Sequence, residues 1–179
     1  MATAEAWQRA EIAGPTKAFV IPKPEVLVAM IKRAKRPIIV AGHRVVQVSE
    51  GEPYIDTIIR IAKAGNVPVV ATAHIVGEFV KRGFQPAAWM PAVDITARLQ
   101  DPSWTGLDGK GQYDLAIFTG IQYYMEWLLF SGLKHFGTHL KTVSLDRFYQ
   151  PQASWSFPNL TLKDWNAYLV SIANQLEAK

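Results

Sequence analysis

The strongest constraint on the fold is a repeated alternation: an amphipathic helix pattern, then a short run of continuous apolar residues. Leu27, Met30, Ile31 and Ala34 recur at helical spacing behind Pro24, a residue suited to a first helical turn, and Ile38-Ile39-Val40-Ala41-Gly42 follows at once. The unit repeats with Ile55, Ile58, Ile59 and Ala62, a stop at Gly65-Asn66, and the run Val67-Pro68-Val69-Val70-Ala71-Thr72. A helical Ala92 to Leu99 precedes Tyr113-Asp114-Leu115-Ala116-Ile117-Phe118, and Tyr123 to Phe136 precedes Leu140-Lys141-Thr142-Val143-Ser144-Leu145. Strands apolar at every position are buried on both faces, and four of them alternating with helices predict a parallel α/β sheet. Thr161-Leu162-Lys163-Asp164 has the form of a capping box, and Trp165, Leu169, Ile172 and Leu176 behind it predict a terminal helix packed on the sheet.

With 179 residues, 49% of them hydrophobic, the chain suits one core. Residues 1–22 have little periodicity and carry Trp7, Phe19, Val20 and Ile21 among polar residues, so they read as an N-terminal arm that contacts a partner. Residues 23–179 read as a single α/β domain.

Composition removes several chemistries. The chain has no cysteine, hence no disulfide, no thiolate nucleophile and no thiolate to hold an iron–sulfur cluster. Its net charge of +4 comes from scattered residues such as Lys32, Arg33, Lys81 and Lys134, a solvated face rather than a nucleic-acid stripe. No apolar run approaches the roughly 20 residues needed to cross a bilayer, and the N-terminus lacks a signal-peptide pattern. The expectation is a soluble, cytoplasmic protein that contacts neither membrane nor nucleic acid.

Candidate sites divide by context. Gly106-Leu107-Asp108-Gly109-Lys110-Gly111 has the composition of a phosphate loop, but it precedes a strand instead of following one, and its spacing fits a tight turn. Gly42-His43-Arg44 and Thr119-Gly120-Ile121-Gln122 follow strands, where open α/β sheets bind ligands. Gly42, His43, Gly120 and Ile121 are therefore the candidate phosphate or flavin site, with plain structural turns as the alternative. His43, His74, His135 and His139 read as ordinary loop or surface histidines, because Gly137 interrupts the one pair at helical spacing. No metal site and no catalytic nucleophile is assigned. Tyr123 to Phe130 is apolar almost all round, which places that helix deep in a core or against another protein. Phe148 to Pro158 concentrates large aromatics in an irregular stretch, as interfaces do, and joins the arm as an expected contact segment.

Three stretches in order also carry a resemblance. They are Ala34-Lys35-Arg36-Pro37, then Asp101 to Gly109 (Asp-Pro-Ser-Trp-Thr-Gly-Leu-Asp-Gly) with Tyr113-Asp114, then Leu140 to Arg147 running into Trp155-Ser156-Phe157. Together they resemble the epsilon subunit of the acetyl-CoA decarbonylase/synthase complex of methanogens and related archaea. The resemblance implies a three-layer, Rossmann-like α/β fold similar to the DHS-like NAD/FAD-binding domain, shared with thiamine-diphosphate enzymes and deoxyhypusine synthase. It further implies an accessory role beside a large alpha subunit, in an alpha-two epsilon-two carbon monoxide dehydrogenase component whose nickel–iron–sulfur chemistry belongs to alpha. FAD binding in support of electron transfer is the alternative role it suggests. No residue of the three stretches is a catalytic signature.

Overall fold

The computed structural model describes residues 16–47 and 53–178. Its elements run β1 (Phe19–Val20), α1 (Pro24–Arg33), β2 (Pro37–Ala41), α2 (Tyr54–Gly65), β3 (Val69–Ala71), α3 (Val76–Lys81), β4 (Ala88–Trp89), α4 (Ala92–Gln100), β5 (Leu115–Thr119), α5 (Tyr123–Phe136), β6 (Lys141–Ser144), β7 (Trp155–Ser156) and α6 (Leu162–Glu177). Short 3-10 turns, His43–Val46 and Ala73–Ile75, follow β2 and β3. The strands form one all-parallel sheet ordered β1-β7-β6-β5-β2-β3-β4. Between them lie helices on both faces, so the predicted Rossmann-like three-layer architecture is the observed one.

Side-chain alternation along each strand explains why the runs are apolar throughout. Ile39, Ala41, Val69, Ala71, Ile117 and Val143 face α1, α2 and α6, while Ile38, Val40, Val70, Ala116 and Phe118 face α4 and α5. On the first side α6 packs on both α1 and α2; on the second, α4 packs on α5. The expected caps form: Asp164 N donates to Thr161 Oγ1 at 3.1 Å, and Asn66 ends α2 in the left-handed conformation. The 106–111 segment is a turn tied down by an Arg36–Asp108 ion pair of 2.5 Å.

Three two-residue strands and α3 do not register in the sequence pattern, because elements this short complete no period. Their placement changes the reading of two segments. Residues 1–15 of the expected arm, with Trp7, lie outside the described residues, and Phe19–Val20 is the edge strand β1, hydrogen-bonded along β7. The aromatic stretch Phe148 to Pro158 supplies β7 and turns most of its rings inward: Tyr149 and Phe157 are buried, and Trp155 stacks on Phe19 with ring centroids 5.1 Å apart. Only Phe148 among its large aromatics stays well exposed. Helix α5 is apolar all round because it serves two surfaces. Leu129, Phe130 and Leu133 enter the core, whereas Tyr124 and Leu128 remain 63% and 58% exposed.

Candidate site at the strand-order reversal

From β2 the chain adds β3 and β4 on one side, then returns to add β5, β6 and β7 on the other. The reversal lies between β2 and β5, whose last residues pair as Ala41 with Thr119. In open α/β sheets this crevice receives ligands. Gly42, His43, Gly120 and Ile121, singled out from sequence on separate loops, are thereby placed side by side at adjoining strand ends.

The two loops are in direct backbone contact. Gly42 N donates to Thr119 O, and Arg44 N donates to Gly120 O, both at 2.8 Å. A Cβ on Gly42 would collide with the Gly120 carbonyl, so glycine is required there by close approach. Gly120 has φ +66°, and a Cβ on it would stand 2.5 Å from Cγ1 of the buried Val45. The Gly120 amide points the other way and donates to Asp146 Oδ1 at 2.8 Å; Ile121 N donates to the same carboxylate.

Asp146 follows β6 directly and forms part of the wall of a cavity of about 150 Å³, with Arg44, Tyr54, Tyr123, Glu126, Arg147, Phe148 and Trp165 among the other walls. The Tyr54 hydroxyl donates to Asp146 Oδ1 at 3.2 Å and accepts from the Thr119 hydroxyl. Trp165 packs edge-on against Tyr54 at 4.5 Å and anchors its indole nitrogen on Leu145 O at 2.7 Å. Glu126, one turn into α5, is fully buried: Ser144 Oγ donates to its Oε1 at 3.0 Å and Gln150 Nε2 to its Oε2 at 3.4 Å.

Burial sets the protonation of the two acids in different ways. Desolvation raises Asp146 to about 6, held back by the Gly120 amide, the Tyr54 hydroxyl and the charge of Arg44. Glu126 is pushed well above the carboxylate range, first by burial and then by the charge of Asp146. Both carboxyls thus hold their protons more tightly than a solvated acid does, Glu126 through complete burial beside Asp146. Burial likewise lifts the Tyr54 phenol well above its ordinary value.

A second cavity, of about 250 Å³, opens on the other side of Ile121. Gly42, His43, Thr72, His74, Ile121 and Met125 contribute to its lining. It holds three of the four residues expected from sequence; Gly120 is not among them. His43 and His74 lie with ring centroids 5.7 Å apart, and burial, then the neighbouring His74 and Arg44, lower the His43 pKa. Thr72 Oγ1 is buried here without a hydrogen-bond partner among the described residues. Of the amides at these strand ends, those of Gly42, Arg44 and Val45 are donated to backbone carbonyls and those of Gly120 and Ile121 to Asp146. Among the described residues no cluster of three or more His, Cys, Asp or Glu is placed to hold a metal ion.

Sequence reasoning passed over Asp146, Glu126 and Tyr54. Signals for the two acids were present: Glu126 is the lone charge in the apolar Tyr123 to Phe130 stretch, and Asp146 ends a strand run as the glycine loops do. Nothing in the pattern marks Tyr54, whose partners arrive from β5 and the end of β6.

The sequence pattern of the family described as "CO dehydrogenase beta subunit/acetyl-CoA synthase epsilon subunit" matches residues 2–173. The chain is 37% identical to the acetyl-CoA decarbonylase/synthase complex subunit epsilon of Methanothermobacter thermautotrophicus, over 91% of each chain. With the subunit epsilon of Methanothrix soehngenii it shares 39% identity over 86% of this chain and 80% of that one. With subunit epsilon 1 of Archaeoglobus fulgidus it shares 40%, covering 87% and 82%.

Proposed function

Since the chain belongs to the family of acetyl-CoA decarbonylase/synthase epsilon subunits, we propose that it is a non-catalytic accessory subunit that docks on alpha, forms the carbon monoxide dehydrogenase component with it and stabilises that component. The observation that carries this reading is the absence of cysteine from all 179 residues. A redox cluster is held chiefly by thiolates, so interconversion of carbon monoxide and carbon dioxide falls to another chain. The exposed Tyr124 and Leu128 of α5 supply an apolar surface of the kind a partner covers. The test is reconstitution. Purified, metal-analysed chain should reduce no viologen dye with carbon monoxide, and adding it to alpha should yield a two-plus-two assembly that unfolds at higher temperature than alpha alone. Dye reduction by the isolated chain, or an alpha that neither binds it nor gains stability, would sink the proposal.

The alternative role, an FAD- or nucleotide-binding subunit assisting electron transfer, is favoured by one feature, the unpartnered Thr72 Oγ1 in the cavity beside Gly42 and His43. We rank it second, because a flavin dinucleotide also needs phosphate contacts, and the Gly42, Gly120 and Ile121 amides at the strand ends are donated elsewhere. Saturable FAD binding by the purified chain would reverse the ranking.

A further inference from the structure

The two glycine loops at the reversal spend most of their amides inside the protein. The amides of Gly42, Arg44 and Val45 donate to backbone carbonyls, and those of Gly120 and Ile121 donate to Asp146. The space that a glycine opens to a pyrophosphate is taken at Gly42 by the Gly120 carbonyl and at Gly120 by Val45. The Gly120 and Ile121 amides, just before the N-terminus of the 14-residue α5, converge on one anion position, and a carboxylate of this chain fills it.

We propose that Asp146 is a resident anion at the strand-order reversal: its carboxylate takes the place a ligand phosphate holds in nucleotide-binding sheets, closes the β2–β5 crevice to nucleotides, and pins the end of β6 to the turn that opens α5. The charges around it agree. Arg44 faces it from the turn after β2, Tyr54 donates from α2, and burial biases the neighbouring acid, Glu126 of α5, toward its neutral form. A phosphate entering beside the Asp146 carboxylate would meet like charge at close range, with the Gly120 and Ile121 amides already engaged. The inference is independent of docking on alpha, which is read by co-purification and not by nucleotide titration.

The experiment is amide NMR of the full chain titrated with inorganic pyrophosphate, ADP and FAD. In the unmodified chain the Gly120 and Ile121 amides should not shift with any of the three at millimolar concentration. FAD bound with these amides unmoved would support the proposal, since the ligand then avoids the crevice. In Asp146→Ala the vacated position should bind pyrophosphate saturably, with shifts centred on Gly120 and Ile121. Should that variant fail to fold, Asp146→Asn keeps an acceptor in place: the Gly120 amide should titrate with pH in the unmodified chain and not in this variant. Pyrophosphate-dependent shifts of Gly120 and Ile121 in the unmodified chain would overturn the proposal, as would a folded Asp146→Ala that binds none, or a Gly120 amide indifferent to Asp146→Asn.

Discussion

Glu126 and Asp146 make the protein's stability depend on pH in a direction opposite to that of surface acids. An acid whose folded pKa is raised binds its proton more tightly folded than unfolded. Its contribution is complete below the unfolded value and is lost as pH climbs through the folded one. For Asp146 the window runs from 3.8 to about 6, a loss on the order of 3 kcal/mol as pH rises across it. The Arg36–Asp108 and Arg60–Glu177 pairs work the other way, but they are solvent-screened and weigh less. Glu126→Gln should therefore unfold in urea much as the parent does at acid pH, and become the more stable of the two as pH rises. A stability difference unchanged from pH 5 to pH 9 would show that burial does not raise the Glu126 pKa. Gly120→Ala imposes both a left-handed φ on alanine and a clash with Val45, and should cost about 2 kcal/mol or more. Adding Val45→Ala should recover part of that cost; strict additivity in a double-mutant cycle would mean that the two residues do not touch.

Among the elements, α5 has the most divided role. Its inner face buries Leu129, Phe130 and Leu133 against β5 and α4, and its first turn places Glu126 under the end of β6. Its outer face leaves Tyr124 and Leu128 one turn apart in water. Replacing both by lysine removes no core contact, so the unfolding free energy should move by no more than about 0.5 kcal/mol. Co-purification with alpha should be lost if this face is the docking surface. Retained association, measured by gel filtration of the mixed subunits, would assign the docking elsewhere.

Across the whole molecule, the chain begins and ends its sheet on the same side: β1 pairs with β7, and both form the edge next to β6. Ala18 and Ile21 flank β1 and are buried, with Ala18 N bonded to Pro151 O and Ile21 N to Ser156 O. Truncation at the start of the described chain and truncation past β1 should therefore differ sharply. Removing residues 1–15 spares every one of these contacts. Removing residues 1–21 deletes two buried apolar side chains and an edge strand, and should lower stability by several kcal/mol, on the order of 2 to 5 for the Ile21 side chain alone. Equal midpoints for the two truncations, by circular dichroism melts, would show that β1 contributes nothing to the fold. An arm that binds the partner should lose association already at the first truncation.

The amino-acid pattern alone determined the layered α/β class, the four central strands and the five longer helices, because each follows from local periodicity: apolar runs where both faces are covered, helical spacing where one is, and caps such as Thr161 and Asn66 at the ends. It also brought Gly42 and Gly120 forward together, since glycine directly after a buried strand carries meaning before any contact is known. What tertiary structure decided is everything that depends on which strand end meets which. Phe19–Val20 became a strand only because Trp155–Ser156 offered it an edge, and Phe157 went inside because that edge was covered. Asp146, Tyr54 and Glu126 come from three separate parts of the chain, and two carboxyls and a phenol acquire their raised pKa values from burial beside one another. Periodicity records which face of an element is apolar; the energy of a buried charge depends on its neighbours in space, and those exist only once the sheet has chosen its strand order.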